Sequence, residues 1–132
     1  MKKQRMFRYY LFSFLFLSMG AVGAACRYPV PDGSGLSPSK PNLVGIIEAI
    51  EPHEVRVKTP SGRIEKLTPP PTGVAYSAFG GDDRLSNVRV GVATRIWFQK
   101  CSAPARGRPR IAYLEIFSND PLDLPPKDYL KR

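Results

Sequence analysis

Histidine and tryptophan occur once each and cysteine twice in this chain. A zinc site built from His and Cys needs three or four such ligands, and His53 stands far in sequence from both Cys26 and Cys101. No metal and no cofactor is therefore expected. Serine catalysis would require the single histidine to meet a nucleophile and an acid, yet no G-x-S-x-G elbow is present. Adjacent Asp82 and Asp83 lack the alternating oxygens of a calcium loop and read as a solvated turn. Acids are also scarce, eleven against twenty Lys and Arg. Apolar runs are short, and none reaches the roughly 20 residues of a membrane-spanning helix. Helical periodicity is missing too, which points away from an all-α fold.

The longest apolar run lies at the N-terminus. MKKQRMFR carries Lys2, Lys3, Arg5 and Arg8, YYLFSFLFLSM follows, and GAVGAA leads to Cys26. A basic start, an apolar stretch of about 7–15 residues and a small-residue exit are the parts of a secretory signal, so residues 1–25 are expected to be cleaved after export. Removing them leaves sixteen cations against eleven acids, a formal +5. That balance suits anionic lipid headgroups or acidic polymers and argues only weakly for nucleic acid. A surface charged for solubility gives the same balance.

Two fates are open for Cys26. Gly23-Ala24-Ala25-Cys26 resembles the lipobox of bacterial lipoproteins, with Gly23 in place of the usual branched residue, and implies lipidation of Cys26. Val22-Gly23-Ala24 equally suits ordinary signal peptidase, leaving Cys26 free to pair with Cys101 in an oxidising compartment. Residues 26–42, rich in Pro, Gly and Ser, read as a flexible linker, which favours the tethered lipoprotein.

Residues 43–118 form one small domain. LVGIIEAIE, EVRVKT, RIEKLT, the segment ending in TRIWF and RIAYLEIFS alternate with period two, and Pro60-Ser61-Gly62 marks a hairpin. Five strands with a long excursion between the third and fourth predict an all-β fold, a five-stranded barrel. The rhythm G-I-I-E-A-I-x-x-x-x-V-R-V-K-T-x-x-G resembles small OB-type envelope domains, and an SH3-like barrel fits nearly as well. Residues 119–132 form an extended, proline-rich arm.

Strand parity sends Ile96, Phe98, Ala112, Leu114 and Ile116 inward and Arg95, Trp97, Tyr113 and Phe117 outward. Exposed aromatics beside an arginine make an adhesive surface. Coverage by the arm would make the same rings a second small core. Arg106, Arg108 and Arg110, spaced along APARGRP, offer an anionic contact. The expected protein is a non-catalytic envelope binding module, periplasm-facing and possibly membrane-anchored, whose partner is another envelope protein or an anionic polymer. A hydrolase inhibitor, a small hydrolase and a structural accessory subunit are the alternatives.

Overall fold

The structure, a computed structural model, describes residues 26–29 and 37–132. The expected signal peptide and the middle of the linker lie outside the described residues. Seven strands form one mixed sheet: β1 (Leu43–Glu51), β2 (Glu54–Lys58), β3 (Ile64–Leu67), β4 (Val74–Ser77), β5 (Asp82–Arg84), β6 (Ala93–Phe98) and β7 (Ile111–Ile116). Their order is β3-β2-β1-β6-β7-β4-β5. All pairs are antiparallel except β4 on β7.

The nine residues of β1 serve two neighbours. Leu43–Ile46 pair with β6, Ile46–Glu51 pair with β2, and a register shift between Ile47 and Ala49 turns the strand from one to the other. Gly45 is required there by space, since a β-carbon would lie 2.7 Å from Val57 Cγ1 and against the Lys58 carbonyl. Gly62 closes the β2–β3 hairpin at φ 87°, a conformation other residues adopt only with strain.

Alternation fixes the inner face. Val55 and Val57 of β2, Ile47 of β1, Ile96 and Phe98 of β6, and Leu114 and Ile116 of β7 are all buried in one cluster. A register shift at Trp97/Phe98 places Ile111 in that core, while Ala112, expected inside, is only half-buried. Each fully buried aliphatic side chain contributes roughly 1.5–3 kcal/mol over its exposed state.

The five-strand expectation needs correction, because the sheet has seven strands and is open. Residues 69–92 contain Pro69-Pro70-Pro71 and a Gly80-Gly81 pair, so no long alternating run marks them as sheet. They nevertheless form the β4–β5 hairpin, which adds to the outer side of β7. A 3-10 turn at Leu85–Asn87 then drops Leu85 into the core, joined by Val88. One further link joins distant strands: Thr68 N donates to Pro109 O at 2.9 Å and Ile111 N to Thr68 O at 3.0 Å, a parallel bridge from the end of β3 to the start of β7.

Candidate functional site

Cys26 and Cys101 are joined by a disulfide, with Cα atoms 5.5 Å apart. A sulfur held in that bond has no valence left for a lipid thioether. The linker, over its described ends, lies on the fold instead of standing free. Ser39 N donates to Arg27 O at 2.8 Å, Trp97 Nε1 donates to Ser39 O at 2.9 Å, and Asn42 N to Ile96 O at 2.9 Å. The Asn42 side chain accepts from Phe98 N at 2.9 Å and donates to Cys101 O at 2.7 Å. Cys101 itself sits at φ 58°, the only described non-glycine residue in the left-handed region. The base of the β6–β7 loop is thus held from several sides.

That loop carries the cations. Lys100, Arg106, Arg108 and Arg110 line one cleft of about 220 Å³ together with Gln99 and Ser102. Arg108 Nη1 meets Glu54 Oε2 at 2.7 Å and so ties the loop to β2. Lys100, Arg106 and Arg110 have no ion-pair partner among the described residues. Lys100 joins them from beside Cys101, outside the APARGRP run that marks the loop as cationic in the sequence.

The aromatic half of the expected surface is arranged differently. Trp97 is 4% exposed, and with Val44, Ala93 and Tyr129 it forms a buried patch outside the main core, on the outer face of β1 and β6. The C-terminal arm lies on the same face over Arg95: the Arg95 guanidinium lies 4.1 Å from the Tyr129 ring centroid, and Arg95 Nε donates to Tyr129 O at 2.8 Å. Tyr129 Oη donates to Glu115 Oε1 at 3.0 Å. Arg95 therefore belongs to an internal latch with Tyr129, while Trp97 is closed off by Ser39 and Tyr113, so neither is an exposed adhesive residue. Tyr113 and Phe117 remain half-buried, Tyr113 stacked on Tyr76 at 4.3 Å and edge-on to Trp97 at 5.6 Å, Phe117 edge-on to both Phe79 and Tyr129 at 5.1 Å. Burial, then the charge of Glu115 and the neighbouring Tyr76, pushes the Tyr113 phenol up to about 12. Tyr129 is raised further, by burial first, then by the charge and hydrogen bond of Glu115, with Arg95 opposing.

Family models, curated proteins and solved structures give no significant match to this chain.

His53 is exposed in the β1–β2 turn. Asp83 accepts from Arg84 N and from Asn87 Nδ2, which makes it a turn-holding residue beside exposed Asp82. No group of three His, Cys, Asp or Glu suited to a metal occurs among the described residues, and no helix among them is long and apolar enough to cross a membrane. Tyr76, Phe79 and Glu115 take part in the cluster around Tyr113 and Tyr129 only because β4 crosses to β7, which no local pattern announces.

Proposed function

We propose that this chain is an exported, non-catalytic binding module of the cell envelope that takes an anionic polymer in the cleft of the β6–β7 loop. The observation that carries the reading is the convergence of Lys100, Arg106 and Arg110 on one cleft without an acid partner among the described residues. Charges gathered on a loop whose base is already ordered bind with less entropy lost than the same charges on a mobile one. On this reading Cys26 carries a disulfide and no lipid, and the protein is soluble in an oxidising compartment.

We further read β1, β2, β3, β6 and β7 of this open sheet as an OB-like arrangement, with the β4–β5 hairpin inserted where such folds place a plug between their third and fourth strands. Support comes from the sharing of β1 between two neighbours and from the parallel Thr68–Arg110 bridge. An SH3-like barrel is the alternative. In OB folds the loop between the last two strands takes part in ligand binding, oligosaccharides included, and that is the cationic loop here. A protein partner is the second reading, favoured by Phe79, which is 70% exposed beside half-buried Phe117.

Titration with long-chain inorganic polyphosphate, and separately with vesicles containing phosphatidylglycerol, tests the proposal. Arg106→Ala with Arg110→Ala should weaken polyphosphate binding at least about tenfold, or about 1.4 kcal/mol. Binding should also fall with added salt as exposed charges are screened over about 10 Å at 0.1 M. Unchanged affinity in the double variant, or binding indifferent to salt, would sink the assignment.

A further inference from the structure

The arm presents two leucines to solvent while its ends are fixed. Leu122 and Leu124 are 86% and 82% exposed in the sequence Pro-Leu-Asp-Leu-Pro-Pro. Before them, Asn119 Oδ1 accepts from Arg89 N at 2.9 Å and Asn119 Nδ2 donates to Asn87 O at 2.9 Å. Ser118 Oγ donates to Asp123 Oδ2 at 2.5 Å, and Leu122 N donates to Asp120 Oδ1 at 2.9 Å. Behind them, Tyr129 is buried under Arg95. Exposed apolar side chains on a segment already ordered at both ends lose little further freedom on docking. The same anchors keep the leucines away from their own sheet.

A groove of matching character opens beside β5. It has a volume of about 630 Å³ and is lined by Ile50, Pro52, Pro70, Pro71, Leu85 and Arg84, with Glu51 at its edge held by Arg56 at 3.0 Å. That size falls within the roughly 300–1,000 Å³ of sites that enclose small ligands. Arg84, on its rim, has no ion-pair partner among the described residues, and Asp123 between the two leucines has none either. β5 links the two: Arg84 lines the groove, and Asp82 and Asp83 of the same strand line a cavity with Ser118, Asn119 and Asp120 at the start of the arm.

We infer that the partner for the Leu122-Asp123-Leu124 segment is a second copy of this chain, each copy inserting its two leucines into the other's proline-lined groove with Asp123 facing Arg84. A two-fold arrangement satisfies both arms at once, because arm and groove are then one self-complementary patch. The contact is small, so the association is weak and reversible. It stands independently of the cationic cleft, which lies on the β6–β7 loop.

Sedimentation of the purified, disulfide-intact chain from about 1 µM to about 1 mM tests this, a range that brackets weak dimers. The weight-average mass should climb toward twice that of the monomer. Asp123→Arg alone and Arg84→Asp alone should each hold the chain monomeric, and the two together should restore the dimer. Leu122→Ser with Leu124→Ser should abolish it, with Trp97 emission unchanged as the sign that the fold is intact. A wild-type chain that stays monomeric throughout overturns the inference. So does a dimer that survives loss of both leucines, or a charge exchange that fails to restore association in folded protein.

Discussion

Replacing Tyr129 by phenylalanine removes one oxygen from a ring that is 4% exposed. The lost hydrogen bond runs to Glu115, a carboxylate with 13% side-chain exposure whose other partner, the Arg95 guanidinium, stands 3.9 Å away. Hydrogen bonds to charged groups contribute about 1.5–3 kcal/mol, so Tyr129→Phe should destabilise by about that much. Tyr129→Ala removes the ring as well, at about 3–5 kcal/mol for a buried aromatic, limited only by release of the arm. Release would open the outer face of β6 at Arg95, next to Trp97, and Trp97 emission should shift to the red. The phenol also gives a pH test. Its ionisation is raised in the folded state, so the unfolded chain loses the proton first as pH passes about 10. Stability from this group is therefore complete below pH 10 and falls above it, by up to about 1.4 kcal/mol per pH unit, with Tyr113 acting in the same direction. Urea denaturation of wild type and Tyr129→Phe between about pH 8 and 11 reads both effects. A phenylalanine variant as stable as wild type, with the same alkaline slope, would refute the latch.

Removal of the disulfide, by Cys26→Ser with Cys101→Ser, frees a loop of 75 residues that spans β1 to β6. The chain-entropy relation gives about 4.5 kcal/mol, a urea midpoint lower by about 1.5–4.5 M at ordinary denaturant slopes. A shift below about 0.5 M would mean that the cross-link restrains only a frayed end. Gly45→Ala places a methyl against Val57 and the Lys58 carbonyl and should cost about 1–3 kcal/mol, visible as a lowered melting temperature. Arg108→Ala breaks the half-exposed pair with Glu54, and should change stability by no more than about 1 kcal/mol while loosening the cleft toward polyphosphate.

Much of the inner sheet was legible because its strands alternate cleanly. β1 spans the predicted Leu43–Glu51, and β2, β3, β6 and β7 fall within their predicted segments. The β4–β5 hairpin was not legible, since strands of four and three residues between proline and glycine clusters carry too few alternations to show a period. Trp97 illustrates a different limit. Parity placed it on the outer face correctly, but that face is closed by Ser39, by Tyr113 and, over neighbouring Arg95, by Tyr129, and the segments carrying Ser39 and Tyr129 show no pattern of their own. The cationic loop was visible as composition, whereas the pairing of Arg108 with Glu54 and the participation of Lys100 depend on how the loop folds back across β2.

The state of Cys26 bears on everything above, because its bond to Cys101 fixes the loop base, lays the N-terminal segment over Trp97 and leaves no sulfur for a lipid. The most direct test is the intact mass of the native chain, taken separately from membrane and soluble fractions, with and without reductant. The expected result is an unacylated chain beginning at Ala25 or Cys26 in the soluble envelope fraction, lighter by two hydrogens until reduced. A membrane-bound chain beginning at Cys26 and carrying acyl groups would contradict it.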